Sequence, residues 1–188
     1  MPARSKARKR ALDILFEAEL RSQPALAVLD ERVERAQPPV SGYTADLVRG
    51  VEARRGAIDR LLAENSRGWA LDRMPTVDRN VLRIGAYELL WRDDIPDAVA
   101  ISEAVQLARD LSTDESPGFV NGMLARLLEL RDEIKDELRD EINDEVSDEV
   151  KPTLSECQQG QLQCRCGRPG RHRLPRPARR HGRVLRER

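Results

Sequence analysis

Residues 75–91 read PTVDRNVLRIGAYELLW, and this stretch decides the fold class. Val77, Val81, Leu82, Ile84, Leu89 and Leu90 recur mostly at spacings of three, four and seven, which is the period of a helix and not the alternation of a strand. Pro75 fits the first turn of that helix, where its missing N–H is no loss, and RDDIPDA (92–98) breaks it. The same period extends in both directions. Toward the N-terminus it predicts helices over 4–21 (Ala7, Ala11, Leu12, Leu15, Phe16, Leu20), 25–36 (Leu26, Leu29, Val33) and 43–65 (Leu47, Val48, Val51, Ile58, Leu61, Leu62). AQPPVSG (36–42) is a break between the last two, and GWALDRMP (68–75) a connector with a turn of helix. Toward the C-terminus it predicts a helix over 100–111 and another entered at Ser116. Ser116 would be the N-cap, Pro117 the first helical residue, and Asp114 and Glu115 the acids at the positive end of the dipole. The expected class is all-α, in keeping with 35% charged and 3% aromatic residues.

The formal net charge of zero hides a division. From Lys151 to Arg188 there are 11 Lys+Arg against 2 Asp+Glu, a net of +9, which leaves −9 for residues 1–150. All three cysteines (Cys157, Cys164, Cys166) and both histidines (His172, His181) also fall in that tail. The first 150 residues therefore offer no thiolate, imidazole or usual zinc ligand, and they contain no Gly-rich phosphate loop. Binding is expected in place of catalysis, with no cofactor and no metal. The tail's CRC and distant histidines do not match a zinc module. No run approaches the ~20 apolar residues of a membrane span, and the N-terminus lacks the apolar core of a signal peptide, so a cytoplasmic protein is expected.

Residues 131–150, RDEIKDELRDEINDEVSDEV, are five acidic tetrads. A period of four overshoots the helical turn by about 40° per repeat, so its apolar line winds around the axis. The expectation is an acidic helical extension with a solvated end, following a domain of residues 1–130. Residues 151–188, rich in Arg, Pro and Gly, read as a disordered basic tail. Such a composition is also what GC-rich DNA encodes out of frame, so a frameshifted gene end is one reading of it.

Two features point beyond packing. Arg4, Lys6, Arg8, Lys9 and Arg10 crowd the first turns of the first helix, where they oppose its dipole. That charge serves either an external anion or only a solvated end. Phe119, one of two phenylalanines, lies at the mouth of the last helix. It either closes the core there or presents an anchor to a partner.

The segments RSKARKRALDILFEAEL (4–20), YTADLVRGV (43–51), VDRNVLRIGAYELL (77–90), IPDAVAISEAVQLARDLS (95–112) and DESPGFVNGML (114–124), in that order, resemble the NusB family of transcription antitermination factors in its actinobacterial form. The resemblance covers about residues 4–130. It implies about seven helices packed as two small bundles, and binding to the boxA segment of ribosomal RNA leader transcripts together with NusE, a small-subunit ribosomal protein, within the RNA polymerase antitermination complex. It maps an RNA surface onto Arg4, Lys6, Arg8, Lys9 and Arg10, extends it toward Arg79 and Arg83, and borders it with Tyr43, whose ring would either stack on a base or pack half-buried. It maps the NusE contact onto Asp114, Glu115 and Phe119. The alternatives are a structural or regulatory homodimer and an RNA-binding module working with an rRNA methyltransferase.

Overall fold

The computed structural model describes residues 3–66 and 71–138. Among them there is no strand, and seven α-helices run up to Glu129: α1 (Ala3–Leu20), α2 (Ala25–Arg35), α3 (Gly42–Ala53), α4 (Arg55–Asn65), α5 (Thr76–Trp91), α6 (Asp97–Leu111) and α7 (Ser116–Glu129), with a 3-10 turn at Leu71–Arg73 before α5 and a further helical stretch over 131–138. The expected all-α class and helix number hold. The expected tail, residues 151–188, lies outside the described residues, as does the acidic repeat beyond 138.

The quoted stretch forms the axis of the fold. α5 packs against α1 and α3 on one side and against α4, α6 and α7 on the other, while α2 closes the first group over α1 and α3. A helix shared by two groups is buried all round. Its apolar residues from Val81 to Leu90 are buried, and so are Asp78, Asn80, Arg83 and Glu88. Buried polar groups are costly unless paired, and the partners of those four shape the rest of the molecule.

Close approach around this axis needs glycine twice. A Cβ on Gly50 of α3 would land inside the Tyr87 ring of α5. A Cβ on Gly85 would stand 2.7 Å from Leu124 Cδ1 of α7 and 3.3 Å from the Ala104 Cβ of α6.

Three sequence expectations are corrected. The single helix over 43–65 is two helices, broken at Arg54 (φ −116°, ψ 14°). The break lets α3 pack on α1 while α4 turns to α7. α6 starts at Asp97, three residues early, because Pro96 ends the extended connector and the Asp97 carboxylate sits at the positive end of the dipole. Ser116 is not a capping side chain. Glu115 holds the N-cap position, and the buried Ser116 hydroxyl donates to Asp78 Oδ2 at 2.7 Å, fastening α7 to the start of α5. Residues 131–138 are helical, Ile134 is buried in the core, and Arg131 Nη1 holds both Asp97 oxygens at 2.8 Å.

Candidate nucleic-acid interface

The five cations of α1 divide by helical position. Arg8 lies four residues before Leu12 and seven before Leu15, on the buried stripe, and is only 2% exposed. Its Nε bonds both oxygens of Glu88 at 2.9 Å, and its Nη1 lies 3.3 Å from Glu103 Oε2 of α6. Burial alone would lower the Arg8 pKa. The hydrogen bonds and charge of Glu88 outweigh it, so the guanidinium is held charged. Arg8 was expected on the outward basic face; its side chain instead closes the joint between α1, α5 and α6.

The other four stay outside. Lys6 and Lys9 are exposed, and neither has an ion-pair partner among the described residues. Arg4 reaches Asp94 at 3.4 Å, an exposed and hence weak pair. Arg10 donates to the Pro39 carbonyl, tying α1 to the loop before α3.

Tyr43, half-buried at the start of α3, meets this face. Ser41 caps that helix, its Oγ accepting the Thr44 N–H at 3.2 Å, and so fixes the ring's position. The Tyr43 hydroxyl donates to Glu88. Burial first, and then the Glu88 carboxylate, push the phenol pKa well up, so it stays a neutral donor. The guanidinium carbons of Arg4, Arg92 and Arg8 lie 5.3, 5.4 and 5.7 Å from the ring centroid. The Tyr43 hydroxyl is thus anchored on Glu88 while three guanidinium groups gather near its ring.

Arg79 and Arg83 do share one face of α5, but that face is turned inward. Both close on Glu19 of α1, Arg79 Nη2 at 2.8 Å, and Arg83 also grips Asp59 of α4 through Nε and Nη2 at 2.7 and 2.8 Å. Burial would raise the Glu19 pKa, yet the bonds from Arg79 and Arg83 hold it below the usual range. This is a brace joining α1, α4 and α5, and its guanidinium groups are spent on carboxylates.

The corner before α7 is separate from the basic face. Asp114 and Glu115 are exposed. Phe119 is half-buried against the core and lines a surface groove of about 520 Å³ with Asn65, Gly118, Gly122, Met123 and Arg126. The groove has a mixed polar and apolar wall.

The NusB family model matches residues 5–129. The chain belongs to the NusB family. It is 60% identical over 127 residues to the transcription antitermination protein NusB of Nocardioides sp., covering 68% of this chain and 94% of that one. It is 60% identical over 130 residues to the NusB of Salinispora tropica, covering 68% and 96%. Among solved structures it is similar to T. maritima NusB (TM-score 0.62, 34% identity, 69% of this chain and 92% of that one). It is also similar to a chain in the crystal structure of antitermination factors NusB and NusE in complex with dsRNA (TM-score 0.60, 25% identity, 67% and 96%).

Sequence reasoning missed Glu88, Glu103 and Glu19, the carboxylates that claim Arg8, Arg79 and Arg83. The signal was present for Arg8, which occupies the apolar stripe read through Leu12 and Leu15. It also missed Trp91 and Arg54, the latter lying over the Tyr87 and Trp91 rings of α5, and Arg92, which lies over the Tyr43 ring of α3.

Proposed function

We propose that this chain is an RNA-binding transcription antitermination factor that holds boxA-type single-stranded RNA together with NusE. The observation that carries the reading is the pair of exposed cations Lys6 and Lys9, without an ion-pair partner among the described residues, on the same helix end as Arg4, whose guanidinium lies over the Tyr43 ring. Family membership, and the NusB relative seen with NusE and RNA, support the same assignment.

The mechanism is differential attraction. Lys6, Lys9 and Arg4 supply phosphate affinity, and an unpaired base finds an aromatic face at Tyr43. Residues 131–150 carry ten acids against three cations, so RNA is repelled from that stretch and the basic end of α1 is favoured over it. Arg8, Arg79 and Arg83 act as supports: they fix α1 on α5 so that the outward cations keep their spacing. NusE, a basic partner, is assigned to the corner of Asp114, Glu115 and Phe119, where two exposed acids flank an apolar side chain.

Joint binding is the expected outcome. In an electrophoretic mobility assay, boxA-type RNA should be held tighter by the chain with NusE than by either protein alone. A scrambled RNA should gain less. Equal affinity with and without NusE would contradict a shared RNA site.

A further inference from the structure

The chain has only six aromatic residues, and three of them, Tyr43, Tyr87 and Trp91, lie on one track together with three arginines. Arg4 and Arg92 flank the Tyr43 ring. Arg92 directly follows Trp91 in the chain and so joins the Tyr43 ring to the aromatic pair of α5. Tyr87 and Trp91, one turn apart on α5, stack at 6.3 Å between centroids and 19° between planes. Arg54, at the break between α3 and α4, then covers both, 5.8 Å from the Tyr87 centroid and 5.4 Å from that of Trp91. Every cation–ring contact among the described residues falls on this track.

Its chemistry differs from that of the basic end. Arg92 is matched by Asp94 at 2.7 Å and approached by Asp46 at 3.9 Å, so the middle of the track is close to neutral. Phosphate attraction is weak there. What it offers is a series of flat π surfaces and guanidinium planes, the surfaces on which unpaired bases stack. Tyr87 is buried against Gly50 and serves as the floor, while Trp91 and Arg54 are half-buried and reach the surface. About 11 residues of α3 separate Tyr43 from Arg54, which at ~1.5 Å per residue spans about 16 Å.

We propose that this track is a base-stacking path for single-stranded RNA, entered from the basic end of α1 at Tyr43 and ending on the Trp91–Arg54 platform. It rests on the reading of the basic end as an RNA surface and adds a second, charge-poor segment to it.

The test uses the full chain carrying Trp69→Phe, which leaves Trp91 as the sole tryptophan. The probes are a short boxA-type single-stranded RNA and the same strand with abasic positions toward the end that would lie past Tyr43. Stacking should quench Trp91 fluorescence with the intact strand and not with the abasic one. Affinity should favour the intact strand by about tenfold per stacked base. Trp91→Leu, and separately Arg54→Gln, should reduce that preference severalfold and leave the salt dependence unchanged. Lys6→Ala with Lys9→Ala should do the reverse. An undiminished preference in the folded Arg54→Gln protein, with Trp91 fluorescence unmoved by intact RNA, would overturn the proposal and leave the track as an edge of the core. Loss of the salt dependence expected of the unsubstituted chain, with the base preference kept, would strike the basic-end reading alone.

Discussion

Glu88→Ala is expected to destabilise the folded chain by about 3–5 kcal/mol, the loss that follows when one partner of a buried ion pair is removed and the other charge stays behind. Arg8 and Glu88 are 2% and 1% exposed, with both carboxylate oxygens on one guanidinium nitrogen. The other carboxylate on Arg8, Glu103, is partly open to water and meets a different nitrogen, so it cannot replace Glu88. The Tyr43 hydroxyl loses its acceptor in the same step. At a few degrees per kcal/mol for a domain of this size, the thermal midpoint should fall by about 10 °C or more. Replacing Arg8 and Glu88 together by leucine should cost less than Glu88→Ala alone, because no charge is then stranded. Urea melts of the three proteins provide the comparison. A Glu88→Ala protein as stable as the parent would mean that Arg8 is free to turn outward, and it would rejoin the candidate RNA contacts.

Phe119→Ala should separate folding from partnership. A fully buried phenylalanine costs about 3–5 kcal/mol when truncated; Phe119 is half-buried, and the start of α7 is fixed by the Ser116–Asp78 hydrogen bond without the ring. The folding loss should therefore fall below that range, while affinity for NusE should drop by about 2 kcal/mol or more, roughly thirtyfold. Glu115→Lys tests the same corner through charge. It places a cation at the N-cap of α7, a folding penalty of less than about 1 kcal/mol, and it repels a basic partner. Denaturant melts and a pull-down with purified NusE read the two effects. A Phe119→Ala protein that melts easily yet captures NusE normally would assign the ring to the core. Normal capture with weakened RNA binding would assign the corner to RNA.

These two residues mark how far the sequence could be read. Apolar period gave the helices, since the stripe that α5 buries is written in Val81, Leu82, Ile84 and Leu89. It could not give the break at Arg54. Leu47, Val51, Ile58 and Leu62 follow one another at spacings a continuous helix would also show, and only packing against α1 and then α7 forces the turn. Polar residues were read less well for the same reason. A charged residue on a helix is taken as outward by default, but Arg8, Arg79 and Arg83 find carboxylates from distant segments, Glu88, Glu19 and Asp59, and pairing makes their burial tolerable. Ser116 shows the local version of this. Its sequence context is that of a cap, and its hydroxyl serves Asp78, 38 residues away. Lys6 and Lys9 are exposed, and Tyr43 is half-buried at the edge of the surface.

The basic end of α1 is the centre of this account, and the salt dependence of RNA binding tests it most directly. Binding of boxA-type single-stranded RNA should be titrated against salt for the full chain and for the Lys6→Ala, Lys9→Ala protein, whose substituted side chains have no ion pair to lose among the described residues. Each phosphate contact on a single strand contributes about 0.7 to the slope of log affinity against log salt. The double substitution should therefore flatten the slope by about 1.4, weaken binding at low salt, and leave the melting curve in place. A slope that does not change would mean that this face does not hold the RNA.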